Sequence, residues 1–108
     1  MVTDNEAIND VIINYVKDVK SSMTIEKAFL FGSYAKGDAH EHSDIDLCFF
    51  SSSFEGQEPP DVVMQLYRLS RKYKGFDIQP RIFTMADLNN DNPFVKEILR
   101  TGVELHVA

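Results

Sequence analysis

Residues 29 to 50 read FLFGSYAKGDAHEHSDIDLCFF, two apolar runs separated by a polar segment that contains two glycines. The first run extends back to Ile25 and ends abruptly at Gly32-Ser33, a pattern typical of a buried strand that ends in a sharp turn. The second apolar run predicts the next strand, over Asp44 to Phe50. Between the strands, residues 34 to 43 predict one helical turn followed by an exposed loop.

The turn after the first strand carries side chains suited to binding phosphate. Because Gly32 has no side chain, its backbone can approach a ligand closely, and Ser33 offers a hydroxyl and the first free amides of the turn. Lys36 can add a point charge from the same turn. These three residues are the predicted phosphate site.

The second strand begins with two carboxylates. Residues i and i+2 of a strand face the same way, so Asp44 and Asp46 share one face while Ile45, Leu47 and Phe49 point into the core. Neighbouring carboxylates repel each other unless a cation lies between them. Oxygen ligands at this spacing suit Mg²⁺ or Mn²⁺, which are commonly held by one or two carboxylates together with substrate phosphates.

Amphipathic helices are predicted on both sides of this segment. Thr3 to Glu6 has capping-box spacing, and apolar residues then recur at helical intervals, which predicts a helix over about 4–21. Pro59-Pro60 suits the entry to a second helix over about 61–73. The predicted buried side of that helix consists of Val62, Val63, Leu66, Tyr67 and Leu69.

The C-terminal third predicts two more strands around a last helix. Phe76 to Thr84 alternates apolar and polar residues, with Asp77 on the polar face, and Pro80 places the strand near a sheet edge. If it neighbours the strand that begins at Asp44, three carboxylates converge. Asn92-Pro93 caps a helix that stops at Gly102 and leads into a strand over 103–107.

Length and composition bound the fold. The chain has 108 residues, 44% of them hydrophobic and 26% charged, which suits one domain over residues 1–108 with one core. The order of elements describes a mixed β-sheet with helices packed on it. The predicted fold class is therefore mixed α/β.

Charge and hydropathy exclude several functions. Seventeen acidic against eleven basic residues give a net charge of -6, the wrong sign for a protein that binds nucleic acid through its phosphates. The apolar runs are too short for a membrane span, and no signal peptide is evident, so we expect a cytoplasmic protein. The single cysteine, Cys48, lies within an apolar run and is expected in the core.

The run GSYAKGDAHEHSDIDL resembles the nucleotidyltransferase signature of the DNA polymerase beta superfamily. The small size points to its minimal nucleotidyltransferase branch, and the closing NPFVKEILRTGVEL resembles the last helix and strand of that branch. The resemblance implies a nucleotidyltransferase fold. It is specific over residues 29 to 50 and extends less strongly to the C-terminus.

The resemblance also implies roles for individual residues. Gly32 and Ser33 would hold the triphosphate of ATP, and Asp44 and Asp46 would bind two divalent ions, Mg²⁺ or Mn²⁺. Asp77 would join one ion and help to deprotonate the acceptor, with Asp87 as the fallback for this third position.

Family members of this size often resemble the antitoxin partner of a HEPN ribonuclease, which transfers AMP to a tyrosine of the toxin. The catalytic core is expected to use up residues 1–108, so a partner protein or a second copy of this chain would supply the acceptor. A binding module that neutralises a toxin by covering its active site, and a small-molecule nucleotidyltransferase, are the alternatives. The intact set of acidic residues favours the enzyme.

Other polar residues allow two interpretations. His40 and His42 have metal-ligand character but fall in the loop between the signature halves, where solvent exposure is favoured. Tyr34 either stacks on a base or covers the turn. A basic cluster, Arg68, Arg71, Lys72 and Lys74, either steers ATP or an acidic partner, or complements the C-terminal end of its helix.

Overall fold

The computed structural model describes residues 5–40, 43–55, 59–89 and 91–106. Helices α1 to α4 span Glu6–Ser22, Ser33–Lys36, Pro59–Ser70 and Pro93–Thr101. Strands β1 to β4 span Lys27–Phe31, Ile45–Phe50, Ile78–Phe83 and Val103–Leu105. Short 3-10 helices at Ser52–Phe54 and Met85–Asn89, which the sequence patterns did not predict, follow β2 and β3.

The four strands form one mixed sheet in the order β3-β2-β1-β4. Strand β1 is antiparallel to β2 and β4, whereas β2 and β3 are parallel. The outer position of β3 agrees with the prediction from Pro80, which cannot donate a ladder hydrogen bond. This topology brings the end of β1 and the starts of β2 and β3 to the same sheet edge.

The main core lies between one face of the sheet and helices α1 and α3. Ile45, Leu47 and Phe49 of β2 are fully buried in it, as predicted. Tyr15 of α1 is also fully buried, and its hydroxyl donates to the Leu66 carbonyl of α3 at 2.7 Å. This bond offsets the cost of removing the hydroxyl from water.

A second cluster covers the opposite face of the sheet. Cys48 and Phe50 are fully buried there against Val95 and Ile98 of α4. Strand β2 is thus covered on both faces for most of its length, which explains why its apolar run is nearly continuous. The expectation that Cys48 belongs to the core is confirmed.

Several helix boundaries differ from the predictions. The cap of α1 is Asn5, whose Oδ1 accepts from the Ile8 amide at 3.1 Å, while Thr3 lies outside the described residues. Helix α3 ends at Ser70 rather than near residue 73, and Tyr67 is 39% exposed rather than buried. The capping role of Asn92 is confirmed, because its Oδ1 accepts from the Phe94 amide at 2.9 Å.

None of the helices in the described part of the chain combines the length and apolar character that a bilayer crossing needs.

Candidate active site

The turn after β1 depends on the backbone freedom of Gly32. Its φ of 73° and ψ of -151° lie in a region that is essentially restricted to glycine. Ser33 follows as the first residue of α2, and the Lys36 amide closes the turn on the Gly32 carbonyl at 3.1 Å. Ser33 is half-buried and Lys36 is exposed, so both remain accessible to a ligand.

The two halves of the signature meet at Gly32 and Asp46. Because Phe31 is the cross-strand partner of Asp46, the strand register brings the turn next to this carboxylate. A Cβ built on Gly32 would overlap Oδ2 of Asp46 and would lie 3.1 Å from its Cγ. The glycine therefore makes room for the carboxylate.

Asp44 and Asp77 meet where β2 and β3 begin. The Ile45 amide donates to the Asp77 carbonyl at 2.8 Å, and Ile45 pairs with Ile78 in the parallel register. A side-chain hydrogen bond with Asp77, together with its negative charge, raises the pKa of the exposed Asp44 carboxyl. Asp77 therefore lies within hydrogen-bonding reach of Asp44 at this edge.

Asp46 is the third carboxylate at this end of the sheet. We call Asp44, Asp46 and Asp77 together the acidic edge. Partial burial raises the pKa of Asp46, and the negative charges of Asp44 and Asp77 raise it further, while Arg81 on β3 acts in the opposite direction. Asp44 and Asp77 therefore both act electrostatically on Asp46. Negative charge from neighbouring carboxylates thus adds to the effect of burial at Asp46 and to that of the hydrogen bond at Asp44.

This crowding fits a divalent cation. In the described ranges, no group of three or more His, Cys, Asp or Glu side chains is already arranged to hold a metal ion. The donors at this edge are nonetheless all carboxylate oxygens, the ligand type that Mg²⁺ and Mn²⁺ prefer. A cation between Asp44, Asp46 and Asp77 would relieve the charge repulsion that contributes to the raised pKa values of the first two.

Three further residues extend the site beyond the sequence prediction. The Gln79 amide donates to Asp77 Oδ1 at 2.6 Å, and the Tyr67 hydroxyl donates to Gln79 Oε1 at 2.9 Å. The Arg81 guanidinium lies over the Phe94 ring, 5.2 Å from its centroid. The alternation of β3 placed Gln79 and Arg81 on the polar face with Asp77, but nothing in the sequence showed which strand that face would neighbour.

Asp87, the fallback for the third carboxylate, lies at the opposite end of β3. The Thr84 amide donates to Asp87 Oδ2 at 2.9 Å within the 3-10 turn, about 20 Å along the strand from Asp77 at the usual rise per residue. Asp87 therefore stabilises a turn and does not join the acidic edge.

The remaining candidates lie in other surroundings. His40 is exposed and its amide donates to Ser43 Oγ at 2.8 Å, while His42 is outside the described residues. Tyr34 is half-buried against the main core, which favours covering the turn. In the basic cluster, Lys72 pairs with Asp18 of α1 at 2.9 Å.

The family of the chain follows from a match over nearly its whole length. Residues 11 to 107 match the family described as "Polymerase beta, Nucleotidyltransferase". The chain belongs to the polymerase beta nucleotidyltransferase family. The family resemblance drawn from the glycine-serine turn and the paired aspartates is confirmed.

Known proteins that are similar to this nucleotidyltransferase include an archaeal relative and a solved structure. It is 29% identical over 101 residues to a "putative protein adenylyltransferase" of Methanocaldococcus jannaschii, with 91% of this chain and 98% of the relative covered. A "putative nucleotidyltransferase" of Sulfolobus solfataricus matches with a TM-score of 0.57 and 20% identity, over 96% of this chain and 89% of that one. This structural likeness confirms the predicted fold.

Proposed function

We propose that this nucleotidyltransferase transfers AMP from ATP to a hydroxyl group of a protein, in a reaction that requires Mg²⁺ or Mn²⁺. The observation that carries the proposal is the acidic edge, where Asp44, Asp46 and Asp77 crowd together beside the Gly32 turn. Crowded carboxylates oppose folding, and a pocket without a charged ligand has no use for them. Their position next to a turn suited to phosphate supports metal-dependent phosphoryl chemistry.

The proposed reaction forms one bond and breaks one. The acceptor oxygen attacks the α-phosphorus of ATP, the bond from that phosphorus to the bridging oxygen breaks, and pyrophosphate leaves. The proton of the acceptor hydroxyl passes to a carboxylate, for which Asp77 is the candidate. Gly32 and Ser33 orient the triphosphate through their backbone amides, and Lys36 adds a positive charge.

Asp44, Asp46 and Asp77 are the residues that would hold the divalent ions. Such ions neutralise the charge that develops on the phosphate oxygens during transfer. The carboxylates themselves fix the position of the acceptor relative to the triphosphate, and most of the rate enhancement would come from such positioning.

Three observations favour a protein as the acceptor. The Methanocaldococcus relative is named as a protein adenylyltransferase, and the net charge of -6 disfavours a long nucleic-acid track. Aromatic surface also adjoins the site: Phe31, the cross-strand partner of Asp46, meets the 40% exposed Phe94 edge to face at 5.7 Å. Such a surface suits an aromatic acceptor side chain.

We propose a tyrosine of a HEPN-type toxin as the acceptor, which would make this chain the antitoxin of the pair. A second copy of this chain is the other protein acceptor to consider. Experiment can distinguish these two acceptors, because self-transfer labels this chain in the absence of any partner.

The test uses ATP labelled at the α-phosphate, with Mg²⁺ and the protein encoded by the neighbouring gene. We expect a labelled band at the mass of the partner, with AMP attached through a phosphodiester to tyrosine when peptides are mapped. The Asp46→Asn variant should give no label. A parallel reaction with bulk RNA should remain unlabelled.

Three outcomes would contradict the proposal. Labelled RNA without a labelled protein would indicate a nucleic-acid substrate. Label found only in a small molecule would indicate a small-molecule nucleotidyltransferase. If Asp46→Asn neutralises the partner as well as the wild type and neither transfers AMP, the chain acts by covering its partner.

A further inference from the structure

A chain of hydrogen bonds runs from helix α3 into the acidic edge. The Tyr67 hydroxyl donates to Gln79 Oε1 at 2.9 Å, and Gln79 Nε2 donates to Asp77 Oδ1 at 2.6 Å. Both bonds lie outside the main core, because Tyr67 is 39% exposed and Asp77 is exposed. Packing alone therefore does not hold the Asp77 side chain in place.

The direction of both bonds follows from the chemistry of the groups. An ionised carboxylate only accepts hydrogen bonds, so the NH₂ group of Gln79 must face Asp77. The carbonyl oxygen of the same amide must then face Tyr67, whose hydroxyl is able to donate. Tyr67 thereby fixes the orientation of the amide, and the amide fixes the orientation of the carboxylate.

Gln79 is placed between two of the three aspartates. It lies two residues beyond Asp77 on the same face of β3, and in the parallel register it pairs with Asp46. A lysine or arginine there would neutralise the carboxylates, and a glutamate would add a fourth negative charge. A neutral amide donates a hydrogen bond and leaves the charge of the acidic edge unchanged.

We propose that Gln79, held by Tyr67, is a positioning residue that fixes the Asp77 carboxylate for metal binding and catalysis. The inference rests on the proposed function, in which Asp77 binds a divalent ion and receives the acceptor proton. The hydrogen bond engages Oδ1 and leaves Oδ2 outside it. Without the bond, the exposed carboxylate would sample several rotamers, and only some would be productive.

The test compares Gln79→Met, Tyr67→Phe and the double variant with the wild type. Methionine keeps the length of the side chain and removes the donor, whereas Tyr67→Phe removes only one hydroxyl. Mn²⁺ affinity is measured by electron paramagnetic resonance with a non-hydrolysable ATP analogue, and kcat and the KM for ATP are measured separately.

We expect Gln79→Met to weaken Mn²⁺ affinity and to lower kcat by about 10-fold or more, the effect typical of removing a hydrogen bond to a metal-binding side chain. The KM for ATP should change by no more than about twofold, because the triphosphate is bound at the Gly32 turn. Tyr67→Phe should also weaken Mn²⁺ affinity and lower kcat, but by only about threefold. The double variant should match Gln79→Met, because Tyr67 acts only through Gln79.

Tyr73→Phe is the matched control for Tyr67→Phe, since it too removes a single phenol hydroxyl, one that donates to the Asp18 carboxylate away from the acidic edge. It should lower Tm and leave Mn²⁺ affinity unchanged. If Gln79→Met lowers only Tm, the inference is wrong.

Asp77→Asn separates the inference from the proposed function. If Asp77→Asn loses Mn²⁺ affinity and activity while Gln79→Met keeps both, only the positioning role fails. If Asp77→Asn keeps both, Asp77 has no part in the reaction, and its proposed role and the inference fail together.

Discussion

The carboxylate of Asp46 occupies the space that a side chain on Gly32 would fill. The two residues are separated by thirteen others in the sequence, and the antiparallel pairing of β1 with β2 brings them together through the Phe31 and Asp46 register. The glycine is therefore required twice, once for its backbone conformation and once for the room that it leaves to the acidic edge.

Gly32→Ala should lower stability and abolish transfer. The backbone conformation alone should cost about 1 to 3 kcal/mol, and the overlap with Asp46 must also displace the carboxylate. Gly37→Ala is the control, because Gly37 has a φ of 82° but nothing within 4 Å of a built Cβ. Thermal melts should show a lower Tm for both variants, whereas activity assays should show a severe loss of AMP transfer only for Gly32→Ala. Near-normal transfer by Gly32→Ala would mean that the contact with Asp46 has no functional role.

Asp46→Asn should lower the rate of transfer by more than about 100-fold. Mutating a residue that only hydrogen-bonds to a metal ligand already lowers metal affinity or activity by about 10- to 100-fold, and Asp46 is itself a proposed ligand. His40→Ala should stay within about threefold of the wild type, since His40 lies in the loop and not at the acidic edge. Initial rates at saturating ATP and Mg²⁺ measure both. Equal losses would place the loop in the active site.

The sequence predicted the parts of the site that local pattern determines. A buried run that stops at Gly32-Ser33, and a DxD at the start of the next run, require no knowledge of the tertiary structure. Pro80 even indicated the edge position of β3, because a proline interrupts hydrogen bonding to a neighbouring strand.

The contacts that the sequence did not predict depend on which helices and strands become neighbours in the fold. The helical periodicity of residues 61–73 predicted that Tyr67 is buried. In the structure its hydroxyl donates instead to Gln79 on the outer strand β3. The polar face of β3 was predicted, but the role of Gln79 required the parallel register with β2. Local periodicity assigns a residue to a face, and only tertiary structure assigns it a partner.

Tyr73→Phe should reduce stability without affecting the site. The Tyr73 hydroxyl donates to Asp18 Oδ2 at 2.5 Å, and Lys72 reaches the same oxygen at 2.9 Å. Although partial burial opposes ionisation of Asp18, the hydrogen bond from Tyr73 and the charge of Lys72 lower the pKa of its carboxyl. A hydrogen bond to a charged, partly exposed group contributes about 1 kcal/mol, so Tm should fall by about 4 to 8 °C.

The loss caused by Tyr73→Phe should also depend on pH. A lowered pKa in the folded state contributes stability above the usual value of 3.8, and this contribution disappears as the pH falls through the lowered value. The difference in Tm between wild type and Tyr73→Phe should therefore be larger at neutral pH than in acid. Because phenylalanine keeps the ring that meets Tyr15 edge to face at 6.0 Å, an equal difference at both pH values would mean that the Tyr73 hydroxyl stabilises the protein independently of the charge on Asp18.

Asp44→Asn should leave the metal-free protein as stable as the wild type or more stable at neutral pH. The hydrogen bond and the negative charge from Asp77 raise the pKa of Asp44 above its usual 3.8, so the folded protein holds that proton more tightly than the unfolded chain. The folded state is therefore favoured below 3.8 and loses this contribution as the pH rises through the raised pKa. Asparagine keeps the shape of the side chain and removes the charge, so its advantage should appear at neutral pH and vanish in acid.

Ligand should reverse the order of the two proteins. Mg²⁺ with a non-hydrolysable ATP analogue binds only the folded state and stabilises it by mass action, and the wild type should gain more Tm than Asp44→Asn because it keeps every carboxylate of the acidic edge. Thermal melts at neutral and acid pH, with and without ligand, measure both effects. A metal-free Asp44→Asn that melts several degrees below the wild type at neutral pH would identify Asp44 as a structural cap. In that case repulsion with Asp77 would not limit stability, and the case for a cation at this edge would lose its electrostatic basis.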